Sequence, residues 1–256
     1  MPNGETIEQA EEKAFKQLSE ELKAHVELLQ LAHNLVGKVE LLIPERPLKD
    51  TPHSLIVATN LMIRLANDLR CIRTLALQGY PLQALSVASA TYETAFTVVY
   101  IDADEALAVE WMDHEDPTQP FRYVWTLTRG GLANLGMPNA EEQAKEDYKA
   151  YRQMCWAKHI NPVLQGQFGF QLIGQKFIGQ NGPDVSPEAV RAAWWALDRT
   201  GRLAFLALCG FINSHIPEES RHGIVDEVQV LGAKRQELAQ VAIQRWGNKD
   251  PFEGKW

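Results

Sequence analysis

The chain has 256 residues, 45% of them hydrophobic, enough for one large domain or two small ones with a real core. Its 25 basic and 33 acidic residues give a formal net charge of −8, the reverse of a protein that coats nucleic acid, so any nucleic-acid contact has to be a local basic site. Cys71, Cys155 and Cys209 are odd in number and widely spaced, which argues against a disulfide framework or zinc site and for reduced thiols in the cytoplasm.

Met1 to Glu5 has neither the basic nor the apolar region of a secretory signal. A long first helix is predicted from Thr6 to Ile43, within bounds 1–44. Its seam of Phe15, Leu18, Leu22, His25, Leu29, Ala32, Val36, Val39 and Ile43 alternates steps of three and four. Leu28, Leu31, Leu35 and Leu42 widen the stripe, as a core-facing bundle helix requires, and leave it broad enough to serve a second copy as well.

Thr51 reads as an N-cap with Pro52 at the first position of a second helix. That helix reaches about Gln78, with Leu55, Ala58, Met62, Leu65, Leu69, Ile72 and Ala76 on its apolar face. Gly79 ends it, and Pro81 opens a third helix, rich in Ala, Ser, Thr and Val, to about Asp102. The stretch through Asp113–Pro117 and Gly130-Gly131 reads as broken by loops. Helical periodicity returns from about Ala140 to His159, and Pro162 limits its extension.

Asn161 to Pro187 is rich in glycine and proline and reads as an irregular insert that covers or borders something. Ser186 as N-cap and Pro187 at N1 open a helix to about His215. The longest apolar run, Leu203 to Ile212, lies in it and is about half of what a membrane span requires. A last helix fills roughly 219–246, and the tail 247–256 has no periodicity. No strand alternation, repeat or domain boundary is visible. The expected fold is a single all-α domain over 1–256: one bundle of about six to eight helices, with the long N-terminal helix and the loop-rich insert.

The densest chemistry lies on the helix ending at His159. Arg152 and His159 are seven residues apart, about 20° from eclipsed and roughly 10 Å apart along an ideal helix axis, so both are expected on one stripe. Tyr148 and Trp156 join that stripe by four-residue steps and offer rings for a base to stack on, or else belong to the core. Glu93, on the small-residue helix, is either exposed or buried and paired, because an unpaired buried carboxylate is too costly. Arg64, Arg70 and Arg73 of the preceding helix are its candidate partners. The run Glu110, Asp113, His114, Glu115, Asp116 matches no carboxylate-histidine signature and ends in Pro117 as loops do, so neither metal nor cofactor is expected. Phosphate loops, nucleophile elbows and Cys-x-x-Cys pairs are absent from the sequence.

The element order resembles the HEPN (higher eukaryotes and prokaryotes nucleotide-binding) superfamily and allied all-helical bacterial families. It comprises a helical hairpin around Gly79-Tyr80-Pro81, a small-residue helix with Glu93, the Tyr151-Arg152…His159 helix and a long hydrophobic helix. HEPN ribonucleases carry an arginine, four to six intervening residues and a histidine; Arg152 and His159 have six, and the polar residue after the arginine is Gln153. The resemblance covers 51–216, with Ser89 where allied families carry an arginine. It implies a metal-independent ribonuclease, a toxin or phage-defence effector with a possible antitoxin partner. It also implies a symmetric homodimer that brings two Arg152/His159 pairs to one cleft. His159 would move the proton and Arg152 would hold the phosphate, with Glu93 supporting. The alternative is a non-catalytic helical module that binds a partner protein or small ligand, with Arg152 on the surface and His159 capping its helix.

Overall fold

Thr6 starts the first helix as a capping box: its hydroxyl accepts from the Gln9 N–H at 3.3 Å, and the Gln9 side chain accepts from the Thr6 N–H at 3.1 Å. The computed structural model describes residues 6–116, 118–159, 170–173, 176–179 and 182–247. Over these it is an all-α bundle of nine helices: α1 (Ile7–Glu21), α2 (Lys23–Glu40), α3 (His53–Leu77), α4 (Pro81–Ile101), α5 (Glu105–Met112), α6 (Val124–Asn134), α7 (Ala140–Lys158), α8 (Pro187–His215) and α9 (Ile224–Trp246). Among the described residues, no helix is long and apolar enough to cross a membrane.

The count exceeds the expected six to eight partly because the predicted N-terminal helix is realised as two. The break is Leu22 alone (φ −108°, ψ 8°), and four-residue hydrogen bonds still run into it (Leu22 N–H to Leu18 O, 2.8 Å) and out of it (Val26 N–H to Leu22 O, 3.0 Å). The seam faces this chain's own core. Leu18, Leu22, Leu28, Leu29, Ala32, Leu35, Val36 and Val39 are buried, while Phe15 is 49% exposed. The α2 part of the stripe packs against α3, α8 and α9.

Every residue predicted on the apolar face of α3 is buried. Its start, however, is not capped by Thr51, whose hydroxyl instead donates to the Pro47 carbonyl at 3.0 Å. The Glu105 carboxylate of α5 takes the His53 and Ser54 N–H groups at 2.9 and 3.0 Å. A carboxylate there also suits the positive end of the helix. Burial acts to raise the Glu105 carboxyl, but the hydrogen bonds from Ser54 and His53 outweigh it and hold it below its ordinary value.

The central helix is α4, packed by α3, α6, α7 and α8. Its buried serine and threonine hydroxyls bond within the helix, Thr91 to Val87 O (2.9 Å) and Thr97 to Glu93 O (2.7 Å), so small polar residues sit in a crowded interior at little cost. Gly130 and Gly131, expected in a loop, lie inside α6. A Cβ on Gly130 would come 2.6 Å from the Tyr100 ring, and one on Gly131 3.3 Å from Phe96. Close approach of α6 to α4 explains the glycines, against a helix-propensity cost of about 1 kcal/mol each. The insert contains one antiparallel hairpin, β1 (Phe170–Ile173) with β2 (Lys176–Gly179), which the absence of visible alternation had not foretold. Ser186 and Pro187 open α8 as read, the serine accepting from Ala189 N–H at 3.2 Å.

His25 on α2 is 7% exposed, and its Nε2 accepts a hydrogen bond from the Trp194 indole of α8. Burial, opposed by attraction to Asp198, pulls its imidazole down from 6.5 to about 4. Between those values only the unfolded chain takes the proton, so stability present above pH 6.5 is lost as pH falls through that window. The loss should total about 3 kcal/mol by pH 4. Urea unfolding at a series of pH values should show this slope in the native protein and a reduced one in His25→Gln; identical slopes would contradict it.

Candidate functional site

Helix α7 carries the site. Lys145, Lys149, Arg152 and Trp156 follow at steps of four, three and four, which places them on one stripe. Lys145, Lys149 and Arg152 are exposed, and Trp156 is half-buried. Together with Tyr148, Gln153 and Trp125 of α6 they line a surface cleft of about 360 Å³. Three cations therefore share one concavity with three large rings. Among the described residues, Arg152 has no ion-pair partner.

The rings are held from the core outward. Trp125 meets Tyr148 edge to face, with centroids 5.7 Å apart, and Tyr148 stacks on Tyr151 at 6.0 Å and 24°. Tyr151 packs on Tyr92 at 4.9 Å, and Tyr92 on Phe96 at 4.6 Å. The Tyr92 hydroxyl pairs with that of Thr128 at 2.8 Å. On its other side α7 is fixed by Asp147, which receives the Arg202 guanidinium of α8 in a two-bond fork of 2.9 and 2.7 Å. Rings anchored this way keep their orientation before any ligand arrives.

His159 stands apart from this arrangement. Helix α7 ends at Lys158, and His159 is the C-cap (φ −105°, ψ 26°), its N–H bonded to Cys155 O at 2.9 Å. It is exposed, and it is not among the residues that line the cleft. The helix expected to about His159 thus ends with that residue as its cap. The expected covering role of 161–187 falls largely outside the described residues.

Glu93 is half-buried and partnered from α7, not from α3. The Tyr151 hydroxyl donates to its Oε1 at 2.8 Å, and Lys158 Nζ lies 3.8 Å away. Arg64 faces Asp68 at 3.9 Å, and Arg73 bonds Gln30. Glu93 sits on the side of α4 that α7 covers, which excludes the arginines of α3. Burial first, then hydrogen bonds with Cys155 and Glu93, raise the Tyr151 phenol far above its ordinary range. Burial likewise raises the Cys155 thiol. Gln153 is buried, 5% exposed. The acidic run that starts in α5 is dispersed: Glu110 pairs with Arg122 at 2.5 Å, His114 bonds the Gln119 carbonyl, and Asp116 bonds Thr118. Among the described residues no group of His, Cys, Asp and Glu is placed to hold a metal ion.

Sequence reasoning found Arg152, Tyr148, Gln153 and Trp156 but missed Lys145, Lys149 and Trp125. The two lysines were legible, since they precede Arg152 by seven and three residues on one helix face. Trp125 was not, because only the α6–α7 packing brings it there. Compared with known protein families, curated proteins and solved structures, the chain matches none.

Proposed function

We propose that the α6–α7 cleft binds single-stranded RNA, taking phosphate at Lys145, Lys149 and Arg152 and a base among Trp125, Tyr148 and Trp156. The observation that carries this reading is the convergence of three cations and three core-anchored rings in one cleft on a chain of net charge −8. Lysine and arginine side chains supply the charge that backbone phosphates need, and aromatic faces accept any base. The arginine adds a planar fork that fits two phosphate oxygens at once.

Anisotropy titration of a labelled single-stranded oligonucleotide tests this. Three neutralised phosphates predict that log K falls with log[salt] at a slope of about −2 for a single strand. Lys149→Glu combined with Arg152→Glu should abolish binding, and Trp156→Ala should weaken it by roughly 1–3 kcal/mol. A slope near zero, or binding unchanged in the charge-reversed protein, would refute the proposal.

A second, finer reading is that the bound strand is also cleaved, as in a metal-independent HEPN-like ribonuclease. It is favoured by an exposed imidazole at His159, the C-terminal cap of the helix that carries Trp156. In that reading two copies associate symmetrically, so that His159 of one copy reaches the phosphate held by Arg152 of the other. Sedimentation equilibrium at micromolar concentration should then report a dimer, and a monomer would remove this arrangement.

A further inference from the structure

A second pocket, of about 390 Å³, lies between α7, α8 and α9, and its lining includes Arg199, Arg202 and Arg235. Two buried carboxylates stand against these three guanidiniums. Asp147 holds Arg202 in the fork described above, and Asp198 meets Arg235 at 3.3 Å. Both carboxylate side chains are nearly inaccessible, at 7% and 6% exposure, so their charges are committed inside the protein. Of the three guanidiniums only Arg199 has no buried carboxylate against it; the other two acids of the lining, Glu142 and Glu146, are exposed.

Arg199 is thus the guanidinium left without a buried counter-charge. Its guanidinium lies over the Trp195 ring, 5.5 Å from the centroid, and among the described residues it has no carboxylate partner. The Nε atoms of Arg199 and Arg235 are both buried without a hydrogen-bond acceptor among the described residues. Buried donors left unmade are destabilising. Burial, opposed by Asp198, and the nearby Arg202 and Arg199 push the Arg235 guanidinium below its ordinary range. A guanidinium does not relieve such crowding by losing its proton near neutral pH, so a bound anion is the available relief.

We propose that this pocket binds the phosphoryl group of a small phosphorylated molecule. Three guanidiniums converging on one pocket suit a tetrahedral group with three terminal oxygens better than a planar carboxylate with two. Asn139, the N-cap of α7, also lines the pocket and makes no side-chain cap, so the helix's positive end adds to the field. Glu142 and Glu146 line the same pocket and are exposed. They offer acceptors to hydroxyl or amino groups on the rest of a small ligand. The site is separate from the RNA cleft: Glu146 and Asp147 lie roughly 100° and 200° around α7 from Lys145.

Thermal unfolding with inorganic phosphate titrated against chloride at constant ionic strength tests the proposal. Phosphate should raise the melting temperature of the native protein beyond chloride. Arg199→Gln should weaken the apparent phosphate affinity by about tenfold or more, the loss of one charged hydrogen-bonding partner. Arg199→Lys, which keeps the charge and loses the fork, should fall between, and it decides the matter if circular dichroism shows Arg199→Gln unfolded. No phosphate-specific shift, or a shift unchanged in the Arg199 variants, would overturn the assignment. An equal shift with malonate would replace phosphate by carboxylate and overturn it too.

Discussion

RNA incubated with the purified protein in EDTA is expected to be cut, leaving a 2′,3′-cyclic phosphate and a 5′-hydroxyl, and His159→Ala is expected to slow this by about 10²–10⁴-fold. The expectation rests on the finer of the two readings above. The nearest nucleophile to an RNA phosphate is its own 2′-hydroxyl, so the protein has to move protons and offset charge on the phosphorane, and needs no metal to do either. Imidazole is the side chain suited to the first task near neutral pH, and His159 is exposed to solvent at the end of α7. Arg152 serves the second, and Arg152→Lys should not restore the full rate because the two-point fork is lost. DNA should bind and survive. Cleavage that requires Mg²⁺, or that is undiminished in His159→Ala, would contradict catalysis at this place; binding without any cleavage would leave the cleft as a non-catalytic RNA site.

Arg202→Ala is expected to destabilise the fold by about 3–5 kcal/mol, because it leaves the Asp147 carboxylate buried without its counter-charge. Asp147 is 5% exposed, and burial of a lone carboxylate is a far larger penalty than loss of a surface ion pair. Surface comparison is available in the same protein: Lys16–Glu12, with side chains 73% and 68% exposed, should contribute little. The Asp147–Arg202 fork also ties α7 to α8, so its loss should loosen the helix that carries the cleft. Urea midpoints for Arg202→Ala and Lys16→Ala measure the contrast, and equal midpoints would contradict it. Replacing both Asp147 and Arg202 by apolar residues should cost less than removing Arg202 alone.

Where hydrophobic periodicity was strong, the fold was legible. The buried face of α3, the start of α8 at Ser186-Pro187 and the extent of α7 all follow from apolar spacing and helix-start chemistry. What misled was chemistry whose cause lies in another element. Gly130-Gly131 looks like a break until Tyr100 and Phe96 are placed against it. Thr51 looks like a cap until Glu105 is brought to His53 and Ser54. Glu93 finds its partner in Tyr151, 58 residues away in the chain, instead of in the neighbouring helix. The candidate site divides the same way: the α7 stripe can be counted off the sequence, whereas Trp125 and the Arg199–Arg202–Arg235 convergence need tertiary packing.

Ultraviolet crosslinking of a uridine-rich single-stranded RNA to the native protein, with the modified peptides identified by mass spectrometry, tests the central claim most directly. The account predicts adducts on the α7 peptide holding Tyr148 and Trp156 and on the α6 peptide holding Trp125. It also predicts their disappearance in the Lys149→Glu, Arg152→Glu protein. Adducts confined to other helices, or undiminished by reversing those charges, would contradict it.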